Sequence, residues 1–261
     1  MILDNIVAAT RIRVEKDMER VSFEAMQKKA RMLSTDTGFP FEAALRTEGI
    51  TFICEVKKAS PSKGVIAEEF PYVSIAKEYE KAGAGCISVL TEPDFFLGSD
   101  AYLTEIREEV SIPLLRKDFI VDAYQLYQAK TLGADAVLLI CAILSQKELE
   151  EYLNLSHELG LSALVEAHDE EEVFRAVKAR AGIIGVNNRD LKTFEVDIRT
   201  SERLRKLVPE NILFVAESGI KTPDDIRVLK EAGVNGVLIG ETFMKSNDKK
   251  AALAELRGDI L

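Results

Sequence analysis

Glutamate and lysine alternate in the run Cys54-Glu55-Val56-Lys57, and other short apolar runs also end in chargeable residues. Leu114-Leu115-Arg116 leads into Lys117 and Asp118, Leu164-Val165 into Glu166, Val186 into Asn187 and Arg189, and Val215-Ala216 into Glu217. A lysine beside a carboxylate offers a proton donor and a proton acceptor together, so this set could run general acid–base chemistry. The lysines and Arg189 could also hold an anion. Taken singly, each residue is as well explained as a side chain that has reached solvent where a strand ends. Taken together, they converge in a way that random solvation does not favour.

Two further segments end their apolar runs in glycine: Ala216-Glu217-Ser218-Gly219-Ile220 and Leu238-Ile239-Gly240-Glu241-Thr242. Glycine there lets backbone N–H groups come close to a ligand, and a phosphate is the ligand such loops commonly cradle. Glycine as an ordinary turn residue is the competing reading.

The elements that position these residues follow from periodicity. Short β-branched runs predict strands over Thr51–Val56, Cys86–Leu90, Ile112–Leu115, Asp135–Ile140, Ser162–Val165, Ile183–Val186, Ile212–Ala216 and Val234–Ile239. Continuous apolar runs of this kind suit strands covered on both faces, as in a parallel sheet. Amphipathic segments between them predict helices over Tyr72–Ala82, Ala123–Leu132, Gln146–Leu159, Glu170–Ala179 and Pro223–Ala232. Gly83, Gly133 and Gly233 follow three of these and suit left-handed helix stops. A strand, a helix and two short loops repeated in this way predict a single (β/α)8 TIM barrel, an α/β fold. A doubly wound open sheet also alternates β and α, but it calls for an early G-x-G-x-x-G turn, which this sequence lacks.

Residues 1–48 precede the first strand and read as helices over roughly Leu3–Glu15, Ser22–Leu33 and Phe41–Arg46. This N-terminal helical extension either covers the bottom or side of the barrel or leans over its mouth. The barrel itself is assigned to residues 49–261. In that frame the chargeable residues stand at strand C-termini, where barrels of this class keep their chemistry. Glu55 and Lys57 share one face of the first strand and point to the barrel axis if Cys54 and Val56 face the helices.

Composition narrows the function classes. In 261 residues, 47% are hydrophobic and 30% charged, and the net charge of −10 disfavours nucleic acid and anionic membrane as partners. An anionic ligand must then be captured by a local cationic site. The start Met1-Ile-Leu-Asp-Asn5 lacks the basic and apolar stretches of a signal peptide, so a cytoplasmic protein is expected. Cys54, Cys86 and Cys141 lie in or beside apolar runs with no C-x-x-C pair, which reads as core packing rather than metal binding. His157 falls on a helix face and His168 in a loop, and neither is assigned a catalytic part.

The segments Cys54-Glu-Val-Lys-Lys-Ala-Ser-Pro-Ser-Lys-Gly64, Val89-Leu-Thr-Glu-Pro93, Pro113-Leu-Leu-Arg-Lys-Asp-Phe-Ile-Val-Asp122, Leu164-Val-Glu-Ala-His168, Ile184-Gly-Val-Asn-Asn-Arg-Asp-Leu191 and Val215-Ala-Glu-Ser-Gly-Ile220 are similar to the signature blocks of indole-3-glycerol-phosphate synthases, in family order and at family spacing. The resemblance implies ring closure of 1-(2-carboxyphenylamino)-1-deoxyribulose 5-phosphate to indole-3-glycerol phosphate, with loss of CO2 and water, in tryptophan biosynthesis. It implies neither a metal nor an organic cofactor.

By the same resemblance, Lys117 is the general acid, and its pKa has to be lowered by desolvation and a neighbouring cation such as Lys57 if it is to act near neutrality. Lys57 and Arg189 hold the substrate carboxylate, and Lys57 also assists the dehydration. Glu166 is the base, and Glu55 orients the lysines. Asn187 and Glu217 bond the substrate amine and hydroxyls, while Ser60, Ser218, Gly219, Gly240 and Glu241 surround the phosphate. The carboxylate of Glu241 is expected to turn away from that anion, leaving its backbone to make the contact. Ser60-Pro-Ser-Lys-Gly64 is read as a flexible loop that closes the site. The expected partner is a phosphorylated small molecule, bound by a monomer with at most weak association with other tryptophan-pathway enzymes. Rival readings are another phosphate-binding barrel of that pathway or a non-catalytic barrel; neither is expected to keep Lys57, Lys117 and Glu166 together.

Overall fold

Eight parallel strands close on themselves in chain order in a computed structural model that describes residues 2–190, 195–244, 246 and 248–258. They are β1 (Thr51–Val56), β2 (Cys86–Leu90), β3 (Leu114–Lys117), β4 (Ala136–Ile140), β5 (Ser162–Ala167), β6 (Ile183–Asn187), β7 (Leu213–Glu217) and β8 (Gly236–Ile239). Closure is made by β1, whose Thr51 registers with Gly236 of β8 while its Ile53 registers with Cys86 of β2. The expected TIM barrel is thus present. Met1, Leu191 and residues 259–261, which the sequence reading includes, lie outside the described residues.

The strands differ from expectation mainly at their ends. β3 starts at Leu114 rather than Ile112, because Pro113 has no N–H to give a ladder and the Leu114 N–H is taken by Asp135 Oδ2 at 2.8 Å. β5, β6 and β7 run on through Glu166, Asn187 and Glu217, so those polar residues are held by strand hydrogen bonds rather than by loops. Gly83, Gly133 and Gly233 have φ of 90°, 86° and 80°, the left-handed geometry expected of helix stops.

Alternation sorts the strand residues into two apolar layers. Cys54, Val56, Ile87 and Val89 face outward and pack with helix residues such as Tyr79 and Leu103. Ile53, Leu115, Leu138, Leu164, Val215 and Leu238 fill the barrel interior. All three cysteines are buried and unpaired.

The residues before β1 form α1 (Ile2–Arg20), α2 (Phe23–Arg31) and α3 (Pro40–Leu45). They touch the barrel at both ends. Phe41 and Leu45 of α3 are fully buried among the interior residues, with Leu45 packed so near the start of β8 that a Cβ on Gly236 would stand 2.5 Å from Leu45 Cδ2. This closes the N-terminal end of the barrel. At the other end, Ile2, Leu3 and Ile6 of α1 reach the wall of the large cavity, and Arg13 ties the same helix to Asp118 beyond β3 at 2.8 Å.

A Phe41→Ala variant removes the largest side chain of this plug from a dry site. Chemical denaturation should show a loss of about 3–5 kcal/mol; a loss under about 1 kcal/mol would mean that α3 merely lies against the barrel.

Candidate active site

A cavity of about 940 Å³ opens at the C-terminal ends of the strands. Glu55, Lys57, Ser60, Lys117, Glu166, Asn187, Arg189, Glu217, Ser218, Gly219, Gly240 and Glu241 all line it, so the structure brings every site residue singled out in the sequence to one place.

Lys117 is at the centre. Its Nζ lies 3.2 Å from Glu217 Oε2 and 3.5 Å from Glu166 Oε2, although these side chains come from β3, β7 and β5. Lys57, the residue after β1, pairs with Glu55 of that strand. Glu55, Glu166 and Glu217 are each almost fully buried. Room for these groups depends on missing side chains: a Cβ on Gly185 would come within 2.6 Å of Glu217 Oε1, and one on Gly240 would press on Glu55 and Lys57.

The electrostatics run against the expectation for Lys117. Burial alone would lower its pKa, but the charges of Glu217, Glu166 and Glu55 outweigh that and hold it well above the usual lysine range. Lys57 pairs with Glu55 instead, and the near neighbours of Lys117 are carboxylates. Glu217 bears the opposite consequence. Burial, with the charges of Glu166 and Glu55, pushes it up to about 7 despite the pull of Lys117. Glu166 is also penalised by burial, yet Lys117, His168 and Asn187 more than compensate and bring it to about 2.

His168 is the residue that sequence reasoning missed. It sits in the loop after β5, with Nε2 3.1 Å from Glu166 Oε1 and Nδ1 3.0 Å from Glu172 Oε2. Burial disfavours its charge, but the two carboxylates raise its pKa to about 10. Spacing alone carried a faint signal, since His168 and Glu172 are four residues apart where a helix is about to start.

The apolar wall was not anticipated either. Glu92 accepts from the backbone N–H groups of Asp94, Phe95 and Phe96 at 3.0, 2.8 and 3.0 Å, and so folds the turn that places Phe96 in the cavity. Phe96 leans on Phe119 at 5.9 Å, and with Ile2, Leu3 and Ile6 they offer an aromatic or apolar group somewhere to bind.

At the opposite side, Ser218 and Gly219 have φ of 67° and 82°. A serine in that conformation costs about 1–2 kcal/mol. Asn188 holds it by donating to the Ser218 carbonyl at 3.1 Å, while its own oxygen accepts from Ser201 N and Oγ. The Glu241 carboxylate lies 3.9 Å from Lys63 Nζ. Ser60 belongs to a short antiparallel pair, Ala59–Ser60 with Gly64–Val65, within the loop after β1. Asp118 commits its carboxylate to Arg13 and, at 3.2 Å, to the fully buried Arg116.

The family profile described as indole-3-glycerol phosphate synthase matches residues 3–256. The indole-3-glycerol phosphate synthase of Ruminiclostridium cellulolyticum is 59% identical over 258 residues, covering 99% of each chain. That of Endomicrobium trichonymphae is 57% identical over 257 residues, covering 98% of this chain and 100% of the relative. Among solved structures, a chain of the tryptophan synthase complex from Pyrococcus furiosus superposes with a TM-score of 0.59 at 15% identity, over 80% of this chain and 97% of that one. A thiamine phosphate pyrophosphorylase from Pyrococcus furiosus gives 0.61 at 18% identity, over 84% and 96%. These two share the fold.

Gly185→Ala tests whether Glu217 depends on the space that glycine leaves. The added methyl should displace the carboxylate from Lys117 and lower turnover at least about tenfold with the barrel intact by circular dichroism; full activity would show that Glu217 has freedom to spare.

Proposed function

The chain belongs to the indole-3-glycerol phosphate synthase family, carboxy-lyases of tryptophan biosynthesis, and from that premise we propose how its own residues share the work of ring closure. The observation that carries the proposal is Lys117 standing between Glu217 and Glu166 at the floor of a cavity with an apolar wall on one side and close-approach glycines on the other. The substrate's aryl group lies toward Phe96 and Phe119. Its phosphate lies toward Ser60, Ser218, Gly219, Gly240 and the backbone of Glu241, whose carboxylate turns to Lys63. Lys57 and Arg189 hold the carboxylate, which fixes the ring carbon that bears it against the ketone.

As the new carbon–carbon bond forms, the electrons of the ketone move to its oxygen, and Lys117 supplies the proton. A lysine with a raised pKa is a weak acid, but an oxygen becoming an alkoxide is a still stronger base, and the carboxylates ensure that the proton is present. Loss of CO2 returns its bonding electrons to the ring. Lys57 then protonates the departing hydroxyl, and Glu166 takes the carbon-bound proton whose loss completes the double bond. Two protons given and one taken match the one proton that decarboxylation of an anion consumes. Glu55 orients Lys57. Asn187 and Glu217 bond the substrate amine and hydroxyls; Glu217 Oε1 is a buried acceptor without a hydrogen-bond partner among the described residues.

The division into an extension over 1–48 and a barrel over 49–261 that fold as one structural domain is part of the same reading, supported by the shared core of α3 and the barrel interior. So is a monomeric, cytoplasmic enzyme with at most weak association with other enzymes of its pathway. The cavity is supplied by one chain, and no helix of the described residues is long and apolar enough to cross a membrane.

Replacing Lys117 with methionine keeps the apolar stem and removes the proton. Turnover, followed by indole fluorescence on the carboxyphenylamino-deoxyribulose phosphate, should fall by about 10²–10⁴ with KM changed far less; near-normal turnover would remove Lys117 from its role. Sedimentation should return a mass near the 29.0 kDa of one chain, and a dimer mass would overturn the monomer.

A further inference from the structure

We propose that His168 is a positioning residue for the reaction, a doubly protonated imidazolium that clamps one oxygen of Glu166 and leaves the other to exchange a proton at the substrate. This rests on Glu166 being the base, and it concerns a residue that never needs to touch the substrate itself.

The argument starts from Glu172, in the first turn of the helix Glu170–Lys178 that Asp169 caps by accepting from Glu172 N at 2.9 Å. Glu172 Oε2 receives two contacts from one residue: His168 N donates to it at 2.8 Å, and His168 Nδ1 lies 3.0 Å away. Backbone and ring are thereby fixed together. With Nδ1–H spent on Glu172, a neutral imidazole would present a lone pair at Nε2. Nε2 lies 3.1 Å from Glu166 Oε1, within ion-pair distance though off the line of a hydrogen bond, so a lone pair on it would meet a carboxylate with no attraction between them. A proton on Nε2 makes the ring a cation between two carboxylates, both at ion-pair distance. The elevation of its pKa to about 10 agrees with this.

The two oxygens of Glu166 then have separate duties. Oε1 is held by His168, and Oε2 lies 3.5 Å from Lys117 Nζ on the cavity side. A carboxylate paired at one oxygen is biased to present the other to the cavity, which favours one geometry of proton abstraction before substrate arrives. The second effect is electrostatic. Around Glu166 stand Lys117 on β3, His168 with Glu172 behind it, Asn187 on β6, Glu217 on β7, Glu55 on β1 and the thiol of Cys141 after β4, with Arg175 donating to the Cys141 carbonyl at 3.0 Å. Among these, Lys117 and His168 are the cations that favour ionised Glu166. Removing one of them must raise the pH at which the base becomes protonated.

The test is a set of variants assayed across pH, with circular dichroism to check the fold. Glu166→Gln should abolish turnover; if it stays active, the base is misassigned and the proposal falls with it. Given an inactive Glu166→Gln, His168→Ala should lower kcat roughly ten- to a hundredfold, less than loss of the base itself, with KM within about twofold. The acid limb of kcat/KM should move up by about one pH unit or more. His168→Gln restores an N–H toward Glu166 without the charge, so it should recover much of kcat while the limb stays displaced. Wild-type kcat and an unmoved acid limb in His168→Ala overturn the proposal. Should that variant fail to fold, an unmoved limb in His168→Gln does the same.

Discussion

Burying charge is expensive, and this protein buries three glutamates, against a half-buried lysine and a half-buried histidine, at one end of a closed barrel. Each of these groups would pay several kcal/mol if desolvated alone. The cost is tolerable only because every carboxylate in the group has a cation in reach: Glu55 has Lys57, Glu217 and Glu166 share Lys117, and Glu166 has His168 on its far side. Two of these pairings join residues two apart in sequence, Glu55 with Lys57 and Glu166 with His168, whereas Lys117 meets Glu166 and Glu217 only across the fold. The barrel is what makes the arrangement possible, because parallel strands bring residues about a hundred positions apart to adjacent places on one rim.

Rigidity around the rim follows from the same need. Arg116 and Asp118 flank Lys117 in sequence but point away from the cavity's centre, into a second buried network with Asp100, Gln128 and Arg13 of α1. That network pins the backbone on both sides of Lys117 and anchors the helix whose first turn lines the cavity. At the bottom, Phe41 and Leu45 of α3 pack among the apolar residues of the barrel interior. An apolar interior beneath the site keeps the dielectric low, which strengthens each of the pairings above.

Much of this was legible in the sequence. Continuous β-branched apolar runs alternating with amphipathic runs of helical period marked eight strands and their order, and chargeable residues at strand ends marked the rim. Glycine placement marked helix stops correctly at Gly83, Gly133 and Gly233. What stayed hidden depends on distance across the fold. The sign of the Lys117 shift is decided by Glu166 and Glu217, which lie far off in the chain, whereas Lys57 looked like the relevant neighbour by motif alone. His168 was legible as a loop residue but not as a cation, since only the bend after β5 turns it back on Glu166. Phe96 reaches the wall because Glu92 caps a turn, a three-bond local motif that composition does not single out.

The central claim is that Lys117 is kept as an ammonium by the carboxylates around it. Nitrogen-resolved NMR of lysine-labelled protein, titrated upward in pH, tests this directly, with Lys117→Met identifying the signal. The Lys117 resonance should remain that of an ammonium after the exposed lysines have lost their protons. A Lys117 signal that titrates before theirs would mean that desolvation dominates, and the charge balance described for this site would be wrong.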